Sequence, residues 1–78
     1  MVAMEVLVVL GYEEKAGVRR SVSLPWVLLK SIALGEVCPT TLRESERRAL
    51  IENSYLREEG GEYFGTPRLA WQTGVPCG

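Results

Sequence analysis

The fold of this chain is decided by residues 37–67, which read VCPTTLRESERRALIENSYLREEGGEYFGTP. Thr41 and Glu44 have the Thr-x-x-Glu spacing of a capping box, in which each side chain satisfies a free backbone N–H group of the other residue. We therefore expect a helix that begins at Thr41, continues to Ile51 or Glu52 and ends at Asn53-Ser54. Its inward-facing residues are expected to be Leu42, Ala49 and Leu50.

A β-hairpin is expected directly after this helix. Gly60-Gly61 separates two short runs, 55–59 and 62–66, that have the length of strands. A two-residue Gly-Gly connection suits a type I′ turn, because both central residues of that turn need a positive φ. Pro67 is expected to end the second strand, since proline cannot donate a ladder hydrogen bond.

The N-terminal region predicts a second hairpin. Residues 4–12 are rich in Val and Leu, which favours a buried strand, and residues 18–23 alternate apolar with polar side chains. The polar segment 13–17 between them ends in glycine and is expected to form the turn. A helix over residues 3–12 is the competing interpretation, and the sequence leaves it open.

A core helix is expected between the two hairpins. Ser23 can cap its N-terminus, and Pro25 is suited to its first turn, where a missing N–H costs nothing. The helix is expected to run to about Leu34, with Gly35 as its C-terminal stop. The sequence thus predicts a single small α+β domain over residues 1–78, with an N-terminal hairpin, two helices, a C-terminal hairpin and a flexible tail at 73–78.

Composition limits the chemistry of this domain. Nine basic residues against ten acidic ones give a net charge of −1, and the sequence contains no His. All the acidic residues are Glu, so Ser-His-Asp catalysis and histidine metal sites are excluded. We expect a non-enzymatic protein without a metal or a cofactor. Cys38 is expected to be a buried, inert thiol, and a disulfide between Cys38 and Cys77 is possible on composition alone.

The remaining apolar residues are expected to belong to the core rather than to a membrane-spanning segment. The unbroken apolar run Val6–Leu10 is too short to span a bilayer, so a cytoplasmic protein is the expectation and no membrane association is predicted. Trp26 and Trp71 are expected to supply large apolar area to the core of a small domain. A surface for a partner protein is their alternative role.

Residues 37–51 resemble the turn and recognition helix of MerR-type regulators and phage excisionases, which carry a Val-Ser-Pro-x-Thr-Leu-Arg-x-x-Glu-Arg-x-Gly-Leu-Ile pattern. Gly60-Gly61 and Thr66-Pro67 resemble the wing of that family and its exit into the next helix. Residues 50–69 also look like the helix end and wing of wider winged-helix families, including the IclR type. Ala49 departs from the pattern, which has glycine there.

The resemblance implies a winged helix-turn-helix fold and double-stranded DNA as the partner. Arg43 and Arg47 would reach the major groove, and Thr40 and Thr41 would bind a phosphate at the helix N-terminus. The residues that would belong to the wing and its exit are Arg57, Tyr63 and Arg68. A small transcriptional regulator that acts as a homodimer is the implied function.

The charge pattern supports a second interpretation. On the expected second helix Arg43, Arg47 and Arg48 alternate with Glu residues, as on a solvated helix face with i to i+4 ion pairs. A near-neutral chain is also unlike a strong nonspecific DNA binder. The alternative is therefore a module that binds and modulates a partner protein through an apolar surface or a strand edge, without contacting DNA.

Overall fold

The computed structural model describes residues 6–76. In chain order the elements are β1 (Leu7–Lys15), β2 (Val18–Pro25), α1 (Trp26–Ala33), a 3-10 turn (Pro39–Thr41), α2 (Glu44–Glu52), β3 (Leu56–Glu59), β4 (Glu62–Gly65) and α3 (Pro67–Thr73). The predicted α+β layout with a hairpin at each end of a helical pair is confirmed. The predicted layout contained two of the three α-helices in this part of the chain; the third, α3, begins at Pro67, where the family resemblance implied an exit from the wing into a next helix.

The N-terminal hairpin is longer and tighter than predicted. β1 and β2 pair antiparallel, with Val8 opposite Leu24 and Lys15 opposite Val18. The turn is Ala16-Gly17 alone, and its φ values of 53° and 77° fit a type I′ turn. Residues 7–12 are therefore strand rather than helix, while residues 3–5 of that alternative lie outside the described region.

The start of α1 differs from the prediction. Ser23 lies within β2, opposite Val9, and Pro25 is the N-cap residue rather than part of the first turn. The ladder with β1 continues up to the helix, and the Trp26 N–H donates to the Val6 carbonyl oxygen at 2.7 Å. Strand pairing thus occupies the residues that would otherwise have capped the helix.

The capping of α2 is also different. The Thr41 hydroxyl donates to the Cys38 carbonyl oxygen at 2.8 Å and closes the 3-10 turn, so α2 begins three residues later than predicted. The N-terminal bond of α2 is instead the one from the Arg43 N–H to Glu46 Oε1, at 3.1 Å. The Thr41–Glu44 capping box is therefore wrong, because the Thr41 hydroxyl bonds locally before the helix starts.

The C-terminal hairpin is confirmed, and a helix follows it. Gly60 and Gly61 have φ values of 58° and 82° at the turn. Thr66 then caps α3, because its hydroxyl oxygen accepts the Leu69 N–H and its hydroxyl donates to the Ser54 carbonyl oxygen. Thr73 is the last residue of α3 and is buried, so any tail begins after it. Residues 77 and 78 lie outside the described region.

One core joins these elements. α2 packs against β1, β2 and β3, and α3 packs against α1 and β4. Trp71 projects from α3 and is 90% exposed, so its predicted place in the core is wrong. Trp26 is half-buried, and its indole N–H donates to the Gln72 carbonyl oxygen at 3.0 Å. The buried apolar residues are Leu10, Val22, Leu24, Leu29, Ile32, Ala49, Leu50, Tyr55, Leu56 and Leu69.

None of the helices in residues 6–76 is long and apolar enough to cross a membrane.

Candidate nucleic-acid interface

Helix α2 lies between the two hairpins and forms a groove with each. Ala49 and Leu50 are buried on its inner side, which leaves its charged residues on the outer side. We call the groove between α2 and the C-terminal hairpin the wing groove; it is lined by Glu44, Arg47, Arg48, Ile51, Glu52, Glu58 and Tyr63. We call the groove between α2 and the N-terminal hairpin the hairpin groove; its cationic lining residues are Lys15, Arg20, Arg43 and Arg48.

The wing groove brings together two of the predicted site residues, Arg47 and Tyr63. Tyr63 stands opposite Glu58 in the ladder between β3 and β4, so both side chains share the face that lines the groove. Within residues 6–76 Arg47 has no carboxylate oxygen within 4.0 Å, and its guanidinium is available to a ligand. The three Glu residues of the groove exceed its two Arg residues, which makes it a mixed rather than a basic surface.

Arg57 does not join this groove. It pairs with Phe64 across the ladder, on the face of the hairpin opposite to Tyr63. Its guanidinium carbon lies 5.7 Å from the Phe64 ring centroid, and its Nε lies 3.5 Å from Glu59 Oε1. A ligand held in the wing groove therefore cannot touch Arg57 without extending around the edge of the hairpin.

The hairpin groove contains Arg43, whose side chain is 82% exposed. Lys15 and Arg20 are neighbouring cations that the sequence did not predict for the site. Their proximity follows from the hairpin register, which places Glu13 opposite Arg20 near the turn. The sequence would have predicted that Lys15 and Arg20 are close only if Ala16-Gly17 had been recognised as a two-residue turn. Four Glu residues balance the four cations of this groove: Glu13, Glu14, Glu44 and Glu52.

Thr40 and Thr41 lie in the 3-10 turn before α2, not in the helix. Thr40 lines a cavity together with Tyr63 and the turn residue Gly61, so it faces the wing. The Thr40 hydroxyl and the Cys38 sulfur lie 3.1 Å apart. The side-chain and backbone hydrogen bonds of Thr40 lower the pKa of the Cys38 thiol from its ordinary value. Cys38 is exposed, so its predicted burial is wrong.

Arg68 is separated from the other predicted residues. It belongs to the first turn of α3, and its guanidinium carbon lies 4.9 Å from the ring centroid of Tyr55. Tyr55 is buried between α2 and β3, so Arg68 covers a core aromatic ring. Of the seven predicted residues, Arg47 and Tyr63 lie in the wing groove and Arg43 lies in the hairpin groove. Thr40 lines a separate cavity that also contains Tyr63, and Thr41, Arg57 and Arg68 lie outside all three.

No family model, no curated protein and no solved structure matches this chain significantly.

Proposed function

We propose that this protein is a small, non-enzymatic DNA-binding regulator that inserts α2 into the major groove and lays the C-terminal hairpin against the backbone as a wing. The observation that carries the proposal is the position of α2. Its apolar side is buried against both hairpins, while Arg43 in the hairpin groove and Arg47 beside Tyr63 in the wing groove stand on its outer side.

The ion pairs of α2 decide which arginine is available to a polyanion. Glu46 turns back to the start of α2, where its Oε1 accepts the Arg43 N–H and lies 3.5 Å from the Arg43 Nε. Glu44 is held by Arg48 at 2.6 Å. Within residues 6–76 Arg47 has no such pair and can contact base edges or phosphates, while Arg43, whose side chain is 82% exposed, would contact them beside its own Glu46.

The proposed contacts fall into two groups. Arg43 and Arg47 would read base edges, where arginine can bond guanine through two hydrogen bonds. Thr40 and Tyr63 would contact phosphates beside them, and Arg57 and Arg68 would contribute only if the DNA extended around the hairpin. One helix with so few cations gives low affinity, so the regulator would act as a dimer on two half-sites.

Fluorescence anisotropy with a random duplex DNA pool tests the proposal at several salt concentrations. We expect affinity to fall as salt rises, and Arg47→Ala to weaken binding because the variant loses a cation that faces the DNA. Lys30→Ala is the matched control, since Lys30 is an exposed cation on α1 that lines neither groove. An absence of binding at low salt, or equal losses in both variants, would contradict the proposal.

A protein-interaction module is the second candidate function, and Trp71 favours it. A tryptophan that is 90% exposed on a short helix is the type of residue that contributes most to protein interfaces. This function predicts a stoichiometric protein partner that is lost in Trp71→Ala and retained in Arg47→Ala. The DNA-binding function predicts the reverse dependence for DNA.

A further inference from the structure

The free edge of β1 is the feature that carries a further inference. The Val6 carbonyl oxygen accepts the Trp26 N–H, so Val6 directs its backbone groups towards β2. Backbone groups alternate along an antiparallel strand, so Val8 also faces β2, whereas Leu7 and Val9 direct their N–H and C=O groups to the outer edge. Pro25 stands opposite Leu7, a non-bonded position where the missing N–H of proline costs nothing.

Charged side chains, prolines and β-bulges usually prevent an edge strand from pairing with another chain, and of these β1 has a bulge, between Val9 and Gly11. Residues 6–10 carry no charged side chain and no proline. The neighbouring strand β2 is protected by Arg19, Arg20 and Pro25. Apart from their bonds to β2, residues 6–10 make one backbone hydrogen bond within residues 6–76, and it joins Val6 to Trp26. The outer edge at Leu7 and Val9 is therefore open.

The side chains next to this edge form an exposed apolar stripe. We use the name β1 stripe for Leu7, Val9 and Tyr12, which lie on the face of the hairpin away from the core and are between 54% and 61% exposed. Three side chains cover less than the roughly 800 Å² that one partner buries in a stable interface, so strand pairing would have to supply the rest.

We propose that a second copy of this chain pairs with this edge, antiparallel and about a two-fold axis at Val8. Leu7 then stands opposite the partner's Val9, and the two residues exchange both backbone hydrogen bonds. Each hairpin becomes half of a four-stranded sheet, and the two β1 stripes join into one apolar face. A two-stranded hairpin is marginally stable by itself, so this extension also stabilises β1 and β2.

Charge favours the antiparallel arrangement of two copies over a parallel one. The tip of β1 carries Glu13 and Glu14. Rotation about Val8 sends the two acidic tips in opposite directions, about 33 Å apart at 3.3 Å per residue, well beyond the screening length of about 8 Å at physiological salt. A parallel neighbour would place these carboxylates side by side.

The dimer formed through β1 adds to the proposed function and does not depend on DNA binding. The buried residues Leu10, Val22 and Leu24 show that the core lies on the other face of the hairpin, where α2 packs. Pairing through the outer edge of β1 leaves α2 and the wing groove free. Loss of DNA binding with retention of the dimer would overturn the proposed function alone.

Sedimentation equilibrium of the full chain tests the dimer, with Val9→Lys as the disrupting variant. Val9→Lys places a charge in the middle of the β1 stripe, and because each change enters a two-fold interface twice we expect the dissociation constant to rise about a hundredfold or more. Val27→Lys is the matched control, because Val27 is similarly exposed, at 65%, but lies on α1. Circular dichroism should show that both variants remain folded.

Hydrogen exchange identifies the interface itself. In the dimer the amides of Leu7 and Val9 should exchange slowly, and they should become fast on dilution or in Val9→Lys, while the Val8 amide stays protected by β2. The inference is overturned by a wild-type chain that is monomeric up to millimolar concentration, or by a dimer that Val9→Lys leaves intact. A dimer that is lost in Trp71→Ala instead would place the interface on α3 and overturn it as well.

Discussion

The substitution Thr66→Val removes the hydroxyl group that joins α3 to the end of α2. This hydroxyl caps α3 by accepting the Leu69 N–H at 3.4 Å, and it donates to the Ser54 carbonyl oxygen at the end of α2. A lost N-cap costs about 1 kcal/mol and a lost hydrogen bond about another 1 kcal/mol. Valine has almost the same shape and accepts the extended backbone of Thr66, so we expect a loss of about 2 kcal/mol in unfolding free energy.

Urea unfolding followed by circular dichroism measures this loss, and thermal unfolding gives an independent value. In a domain of this size about 2 kcal/mol corresponds to a decrease of roughly 8–16 °C in Tm. Thr41→Val is the matched control, since the Thr41 hydroxyl is exposed and makes a single local bond to the Cys38 carbonyl oxygen. We expect its cost to stay below about 0.5 kcal/mol.

The difference between Thr66→Val and Thr41→Val shows which of the two threonines caps a helix. If Thr41 capped α2, as the spacing to Glu44 predicts, Thr41→Val would cost about as much as Thr66→Val. Equal losses in the two variants, or a larger loss for Thr41→Val, would refute the assignment of Thr66 as the junction between α2 and α3.

Three further predictions concern the core, the turns and the thiol. Leu50→Ala should cost about 2–5 kcal/mol in urea unfolding, because Leu50 is fully buried; a loss as small as that of Ile51→Ala, on the exposed side of α2, would contradict this. Gly61→Ala should destabilise the domain by about 1–2 kcal/mol, since φ is +82°, while Ala16→Gly should stabilise it because Ala16 has a φ of 53°; shifts of the same sign in Tm would contradict this. Thr40→Val in a Cys77→Ser background should raise the pKa of the Cys38 thiol, so that less thiolate is present at neutral pH and alkylation slows; an unchanged alkylation rate would contradict the role of the Thr40 hydrogen bonds.

The C-terminal hairpin shows how much local sequence can determine. Gly60-Gly61 has the positive φ values that its composition predicts, and the strands on either side have the predicted positions. The end of α2 at Asn53-Ser54 was predicted equally well, with Ser54 in a left-handed conformation at φ 63°. These features depend on the conformational preferences of a few neighbouring residues, so no knowledge of the remaining chain is needed.

The candidate site could be predicted only in part. Arg43 and Arg47 lie on the outer side of α2, because Leu50 and Ala49 determine which side faces the core. The positions of Arg57 and Tyr63 on opposite faces of the hairpin follow from strand alternation, yet the sequence interpretation placed them in one site. Whether either grouping binds DNA stays a prediction.

The sequence by itself determined the presence of two hairpins, the Gly60-Gly61 turn, the order of the first two helices and the apolar side of α2, since each depends on local backbone preference and side-chain periodicity. Only the tertiary structure decided the rest. α3 is short, and its cap depends on the contact between Thr66 and Ser54, twelve residues away in the chain. Trp71 is exposed because α3 turns Leu69 inward against the core, and the free edge of β1 exists because no other strand in residues 6–76 covers it. Such features depend on contacts between segments that are distant in the chain, and local residue preferences do not determine those contacts.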